Sequence, residues 1–299
     1  MVAGGNIGAL ENMIICPTAR GYMLARDPTF LGQPGLKAMY FRTSLATFLW
    51  SSQSRLKIEL PPLGLDVDDD LLIECNCLLS DEPTAPGCVV LLAQPDAPLI
   101  WFCHVGDSQW GKHEYDIGTT ALPDWDPPEE KVVICPIAAC RGKFYFNSTS
   151  TSLDVIDFCG GLSAPVFTSI AVEDTIGMCH GSVFLVESSD QLYMIRLFGV
   201  HASEPYHGAT VHRMDFSKRQ WREVDDLGGC TFLLSIYEFG ASLSGDGSCG
   251  LRQDCVYFPD RHRKTLQVFD VKDGSTELQK LDEAPAVSDR AFWVLPSDL

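Results

Sequence analysis

Short runs of apolar and β-branched residues, separated by turn-forming residues, recur along the whole 299-residue chain. Runs of about four to eight residues bounded in this way predict β-strands. No stretch of about 15 residues keeps the apolar spacing of an amphipathic helix, and 18 prolines and 25 glycines interrupt every region. The chain is therefore predicted to be all-β. The clearest predicted strands are Gly21–Arg26, Ala46–Trp50, Cys88–Leu92, Leu99–His104, Lys143–Asn147, Leu153–Phe158, Ser182–Val186, Gln191–Phe198, Thr210–Phe216, Thr231–Tyr237, Asp254–Phe258 and Leu266–Val271.

A loose internal repeat favours a β-propeller over a sandwich or a barrel. In each copy an aromatic strand is followed by a polar turn and a second strand, and copies recur at about 40 to 55 residues, the size of a four-stranded blade. We therefore expect one kelch-like propeller of about five to seven four-stranded blades over residues 1–299, with 1–13 as a short lead-in. The copies begin at Phe48, Ile100, Lys143, Ser182, Val211 and Cys255.

Ring closure is predicted from the ends of the chain. Pairing of Arg290–Leu295 with the first blade near Ile14–Leu24 would leave no exposed sheet edge. Two acidic stretches, Leu65–Asp70 and the proline-containing Pro123–Lys131, interrupt the pattern and are predicted to be surface loops.

Five motifs in the same order and spacing resemble one known family. They are Cys16–Tyr22, Phe48–Trp50 with Ile58–Leu63, Met214–Phe216 with Trp221–Gly228, Gly250–Phe258, and Val268–Ser275. They are similar to the plant F-box-associated β-propellers of the KIB type, a family long described as a domain of unknown function. The resemblance implies a propeller that captures the substrate of a cullin ubiquitin ligase, while an F-box ahead of it docks on a Skp-type adaptor. Met1–Met13 are too few residues for a helical F-box, so we do not expect this chain to recruit the adaptor.

Charge excludes several partner classes. The chain carries 40 acidic and 22 basic residues, a net charge of −18. This charge repels nucleic-acid backbones and anionic membrane surfaces, so neither is an expected partner. The sequence shows neither a secretory signal nor an apolar run long enough for a membrane span. We expect a cytoplasmic or nuclear protein that is not secreted, with its 12 cysteines as reduced core thiols.

Sequence motifs for catalysis or cofactor binding lack their structural context. Gly245–Gly250 matches a dinucleotide fingerprint, but a β-type segment follows where a helix is required. Gly106–Trp110 approaches a nucleophile elbow without its last glycine, and we predict a hairpin turn there. No enzyme activity, catalytic residue or cofactor is therefore expected.

Metal-binding motifs are also incomplete. The pairs Cys75 and Cys77, Cys103 and His104, and Cys179 and His180 lack the spacing that places two ligands on one ion. Asp66–Asp70 resembles the start of a calcium loop without its glycine and glutamate. No metal site is expected.

These observations favour a protein-interaction propeller whose loops recognise an unidentified protein partner. The expected contact loops lie around Asp124–Glu130, His201–His207 and Asp260–Lys264. Trp125 is the predicted aromatic anchor. The cluster of Arg261, His262, Arg263 and Lys264 would suit an acidic or phosphorylated partner.

Two alternatives stay open at this point. One is a propeller hydrolase or oxidase with a site in the channel, for which His104, Asp107 and His180 are the candidates. The other is a degenerate or decoy propeller that binds its partner without recruiting a ligase.

Overall fold

Antiparallel β-strands dominate the part of the chain that the structure describes. The computed structural model describes residues 13–26, 46–51, 54–63, 72, 74–121, 129–149, 151–158, 164–173, 181–199, 205–235, 239–244, 250–260 and 265–280. Within these ranges four four-stranded sheets and one five-stranded sheet form the five blades of a propeller. The predicted all-β propeller is confirmed, with five blades.

The first three blades follow the chain as simple antiparallel meanders. Blade I contains β1 (Ile14–Pro17), β2 (Tyr22–Arg26), β3 (Thr47–Ser51) and β4 (Lys57–Leu60). Blade II contains β5 (Asn76–Leu79), β6 (Val89–Ala93), β7 (Leu99–His104) and β8 (Gly111–Glu114). An exposed two-stranded hairpin of β9 (Thr119–Ala121) and β10 (Glu129–Lys131) precedes blade III. Blade III contains β11 (Ile137–Cys140), β12 (Lys143–Thr149), β13 (Ser152–Asp157) and β14 (Val166–Ala171).

Blade V departs from this simple order. Blade IV is a meander of β15 (Gly181–Ser188), β16 (Gln191–Phe198), β17 (Gly208–Asp215) and β18 (Gln220–Val224). Blade V contains β19 (Cys230–Ser235), β20 (Phe239–Ser244), β21 (Cys255–Asp260), β22 (Thr265–Asp270) and β23 (Thr276–Lys280). Its sheet order is β20, β19, β21, β22 and β23, and β19 pairs in parallel with β21. β20 therefore lies innermost and packs against β15 of blade IV.

Blades II, III and IV each bury both of their faces in apolar clusters shared with their neighbours. Strand β6 is buried along its whole length. Val90 and Leu92 enter an apolar cluster shared with blade I, whereas Val89 and Leu91 enter one shared with blade III. Side chains alternate across a strand, so one continuous apolar run supplies two interfaces. This explains why the blade strands lack the apolar and polar alternation of half-exposed sheets.

Aromatic pairs join several neighbouring blades. The ring centroids of Phe102 in blade II and Phe158, which follows β13 of blade III, lie 4.7 Å apart. Tyr145 of blade III contacts Phe216, in the turn after β17, at 5.4 Å. The ring closes where Ala19, in the turn between β1 and β2, packs against the apolar cluster of blade V.

The six predicted repeat copies occupy five blades. The copies that begin at Ser182 and Val211 are the inner and outer strand pairs of the single blade IV. A rule that recognises two strands and a turn cannot tell half a blade from a whole one. The blade count therefore depends on which hairpins pair with each other.

All twelve predicted strands coincide with observed strands to within two residues at most ends. The predicted loop Pro123–Lys131 is wrong at its end, because Glu129–Lys131 pairs with Thr119–Ala121. The predicted closing strand Arg290–Leu295 lies outside the described residues.

Gly111 allows the central aromatic contact between blades II and III. It stands directly opposite Phe102 in the β7–β8 pair. A Cβ atom at Gly111 would lie 2.6 Å from Cζ of the buried Phe102 ring. The ring covers the glycine backbone on one side and contacts Phe158 on the other, so it has no free space into which to move.

We predict that Gly111→Ala lowers the free energy of unfolding by about 1–3 kcal/mol, because the added methyl group displaces the Phe102 ring. The matched control is Gly208→Ala in β17, where a Cβ atom meets nothing within 4 Å. That variant should stay within about 0.5 kcal/mol of the wild type. Urea unfolding measures both, and equal losses in the two variants would refute the role of the Phe102 ring.

Asp254 ties together three segments of blade V. Its buried carboxylate accepts hydrogen bonds from the backbone N–H groups of Leu227 (2.8 Å) and Gly229 (3.2 Å). Lys272 Nζ donates to its other oxygen at 2.7 Å. Burial opposes ionisation of this carboxyl, but the three donors outweigh burial and lower the pKa of Asp254. The ionised carboxylate is thus part of the folded structure.

We predict that Asp254→Asn costs about 1–3 kcal/mol of stability at about pH 7. The pKa is lower in the folded than in the unfolded chain, where it is about 3.9. The stabilisation is therefore complete above the unfolded value and is lost as the pH falls through the folded value. In urea titrations, the difference between wild type and variant should shrink towards about pH 3. A difference independent of pH would contradict this prediction. The control is Asp116→Asn, at an exposed position.

Candidate functional site

The central channel opens into a cavity of about 290 Å³ that residues of all five blades line. Blade I contributes the turn after β1, and the other blades contribute β5, β11, β15, β19 and β20 with the turns that follow β5 and β15. The lining residues are Ala19, Arg20, Leu78, Leu79, Glu82, Ile137, Ala138, Ala139, Glu187, Ser188, Ser189, Asp190, Cys230, Gly240, Ser242 and Ser244. We call this cavity the channel mouth.

Arg20 is the cation of the channel mouth and spans three blades. It lies in the β1–β2 turn, which Gly21 completes at a φ of 74°. Its Nη1 atom is 3.8 Å from a Glu82 carboxylate oxygen of blade II, and its Nη2 atom is 3.6 Å from Glu187 of blade IV. One side chain therefore connects the first blade with two others across the opening.

The β15–β16 turn holds two non-glycine residues in the left-handed backbone region. Ser189 and Asp190 have φ values of 50° and 59°. The Asp190 N–H donates to Glu187 Oε1 at 2.9 Å, and the Asp190 carbonyl accepts from Arg141 Nε of blade III at 2.7 Å. Such φ values cost energy in L-residues and are concentrated at functional sites. Polar contacts from two blades fix this turn at the edge of the channel mouth.

Hydroxyl and thiol groups line the wall between blades IV and V. Ser242 Oγ donates to Ser188 Oγ at 2.8 Å, and Ser188 Oγ in turn donates to Cys230 Sγ at 3.5 Å. Nearby, burial first and then the Glu187 carboxylate raise the pKa of the Cys140 thiol to about 12. These groups contact one another, and none of the lining residues is a histidine that could act as their base. The channel mouth is built to make hydrogen bonds and ion pairs.

Trp125, Arg261, His262, Arg263 and Lys264 are outside the described residues. The described hairpin strands β9 and β10 flank Trp125.

Part of the predicted contact loop His201–His207 is bound within the fold. The backbone of Tyr206 makes two hydrogen bonds with the buried amide of Gln267 in blade V. These bonds connect the segment to blade V. The prediction that the loop His201–His207 contacts a partner stays a prediction, and residues 201–204 lie outside the described residues.

His104 and Asp107, two of the three candidate enzyme residues, lie beside the turn between β7 and β8. The predicted turn at Gly106–Trp110 is confirmed, since it joins β7 and β8. Asp107 accepts from the His104 backbone N–H at 2.8 Å and lies 3.2 Å from His104 Nδ1, so the pair braces this turn. Neither residue lines the channel mouth. His180, Gly245–Cys249 and Asp66–Asp70 lie outside the described residues.

The cysteines contribute to packing in the described ranges. All nine described cysteines carry free thiols, and seven of them are buried. Cys16 Sγ donates to the Cys75 carbonyl at 3.1 Å, which joins blade I to the entry of blade II. A hydrogen bond with Cys16 and then burial raise the pKa of the Cys77 thiol. In the same ranges, no cluster of three histidine, cysteine, aspartate or glutamate side chains has the geometry to hold a metal ion.

The described residues also include no helix of the length and apolar character that a membrane span requires.

Four antiparallel sheets and one mixed sheet, packed radially around a channel, define the class of protein, a five-bladed β-propeller. The sequence profile of the KIB1-4 β-propeller matches residues 10–270, and the chain belongs to this family. The resemblance drawn from the blade motifs is thereby confirmed.

Three solved structures that the chain matches at low identity are glycoside hydrolases. The GH74 xyloglucanase from Xanthomonas campestris gives a TM-score of 0.36 at 14% identity, covering 92% of this chain and 37% of that enzyme. A GH43 β-1,3-galactosidase with galactodeoxynojirimycin gives 0.32 at 10%, covering 86% of each chain. A glycosyl hydrolase from Bacteroides ovatus gives 0.32 at 12%, covering 89% of this chain and 82% of the other. No curated protein sequence matches the chain.

Sequence alone did not single out Arg20 as a site residue. It lies inside the family motif Cys16–Tyr22, whose order marks the family but does not show which side chain faces the channel. The available signal is an arginine directly before a glycine, immediately ahead of the first predicted strand, Gly21–Arg26. Its partners Glu82 and Glu187 are 62 and 167 residues away in the chain, so only ring closure brings them together.

We predict that Arg20→Glu lowers the free energy of unfolding by about 1 kcal/mol, because it replaces two attractions by two repulsions in the channel mouth. Salt screens these repulsions, so the loss should decrease between about 0.05 and 0.5 M NaCl. The control is Lys57→Glu, the same charge change beside Glu59 on the exposed strand β4. Thermal unfolding of both variants at both salt concentrations measures the loss. A loss independent of salt would show that packing, and not charge, explains the effect.

Proposed function

We propose that this chain is a non-catalytic β-propeller that binds a partner protein at the channel mouth. The observation that carries the proposal is a set of charged side chains from three blades around one opening. Arg20 of blade I and Glu82 of blade II lie in turns, and blade IV contributes Glu187 at the end of β15 and Asp190 in the turn that follows. Their backbones belong to a closed, densely packed ring. Rigid elements that display polar turns are typical of recognition surfaces.

The finer proposal concerns ubiquitylation. The family resemblance favours a role as the substrate-recognition part of a cullin ubiquitin ligase. Trp125 and Arg261–Lys264 are proposed as additional contacts, because an exposed tryptophan and a basic cluster are typical anchors for a protein partner. The Skp-type adaptor is not proposed as a direct partner of this propeller.

Affinity capture with the purified full chain tests partner binding. We expect proteins from a plant-cell lysate that wild type retains and that the double variant Glu82→Lys, Glu187→Lys retains at least about tenfold less, a difference of about 1.4 kcal/mol. The matched control is Glu59→Lys with Glu277→Lys, which reverses two exposed charges on β4 and β23. Each captured protein is then purified and titrated directly. Equal binding by all three chains would exclude the channel mouth as the binding surface.

The same preparation tests the non-catalytic part of the proposal. Wild type should release no product from aryl glycosides or aryl esters. Turnover that disappears in Glu187→Gln would contradict the proposal.

A further inference from the structure

A second concave surface lies beside the channel mouth and is rich in arginine. It has a volume of about 520 Å³ and combines the β11–β12 turn of blade III with β16, β17 and β18 of blade IV. Its lining residues are Arg141, Gln191, Arg213, Met214, Asp215, Phe216, Ser217 and Arg222. We call it the arginine groove. Gln191 follows Asp190 of the channel mouth, so the two surfaces are adjacent.

Two of the arginines are held directly opposite each other. Arg213 on β17 and Arg222 on β18 are cross-strand partners, and both are exposed. Like charges in this position repel, so the pair destabilises the sheet unless an anion lies between or beside them. Arg213 also hydrogen-bonds Tyr193, its partner on β16. The register of blade IV thus places two guanidinium groups side by side on one edge of the groove.

A single carboxylate offsets this charge. Asp215 Oδ2 lies 3.0 Å from Arg222 Nη2. Its Oδ1 atom accepts hydrogen bonds from Ser217 Oγ (2.6 Å) and from the Lys218 backbone N–H (3.1 Å). These bonds, the one from Ser217 foremost, lower the pKa of Asp215. The carboxylate is thereby fixed to its own turn, and one negative charge faces three arginines.

The third arginine comes from the neighbouring blade. Arg141 Nε donates to the Asp190 carbonyl at 2.7 Å, and its guanidinium carbon lies 5.2 Å from the centre of the Phe216 ring. A hydrogen bond and a cation–π contact therefore hold its guanidinium group at the groove wall. The surface is pre-organised, since most of its side chains are already positioned by contacts within the fold.

We propose that the arginine groove binds a phosphorylated side chain on an extended segment of a partner protein. The inference rests on the proposed function as a protein-binding propeller and specifies the chemistry of the partner. A phosphate ester carries about two negative charges and three acceptor oxygens, which match a surface lined by three arginines better than one carboxylate does. The net charge of −18 repels a polyanionic backbone, so a single phosphate on a protein fits better than a nucleic acid.

An array of peptides with random flanks tests this proposal on the purified full chain. The central residue is phosphoserine, phosphothreonine, serine or glutamate. We expect at least about tenfold tighter binding of the phosphorylated members, measured by fluorescence anisotropy on the strongest peptides. Equal binding of the glutamate peptides would overturn the assignment to phosphate. Equal binding of the serine peptides would overturn the groove as an anion site.

Variants assign the binding to the groove. Arg213→Ala and Arg222→Ala should each weaken phosphopeptide binding about tenfold, and Arg222→Lys should recover only part of it because lysine lacks the guanidinium fork. The control is Lys280→Ala, which removes one positive charge from the exposed end of β23. Thermal unfolding confirms that each variant is folded. Unchanged binding in both alanine variants would overturn the proposal.

Failure of this inference can be told apart from failure of the proposed function. If the wild-type chain captures partners that phosphatase treatment does not release, the chain binds proteins but the phosphate proposal is wrong. If it captures no partner and binds no phosphopeptide, both are wrong.

Discussion

The structure depends on the apolar clusters that neighbouring blades share, which cover both faces of blades II, III and IV. In a sandwich each sheet has one apolar face, whereas here the strand Val89–Ala93 supplies two different interfaces through alternate side chains. The ring then follows, because sheets that are apolar on both sides can exclude water only between two neighbours. The same constraint explains Gly111, where one missing side chain makes room for the Phe102 ring between two blades.

Strand positions were predictable from sequence because a fully buried strand is a continuous apolar run with turn residues at its ends. The blade count was not, since it depends on long-range pairing. Ser182–Val186 and Thr210–Phe216 look like separate repeat units, yet they lie in one sheet. The strand order of blade V is harder still to predict. β20 lies between β19 and β21 in the sequence, yet β19 pairs directly and in parallel with β21. A local pattern contains no information about such a pairing.

Site residues were less predictable than the core for a related reason. Apolar periodicity identifies residues that face a neighbouring blade, but Arg20 and Arg141 belong to short turns whose surroundings come from distant segments. The chain is acidic overall, so its composition did not point to a basic surface between β11 and β18. The register that sets Arg213 opposite Arg222 can be derived only when the β17–β18 turn is known.

If both faces of each blade are committed to packing, the side chains free to vary are those of the turns and of the outermost strands. Turns are also where this chain accepts unfavourable backbone geometry, as at Ser189, Asp190 and Arg141 with φ values of 50°, 59° and 52°. Polar contacts between blades stabilise these conformations: Arg141 bonds to Asp190, and Arg20 reaches Glu187. The contacts that complete the ring therefore also orient the charged groups of the channel mouth and the arginine groove. Under the proposed function, recognition and packing between blades use the same turns, so a change in one of these side chains should affect both stability and binding.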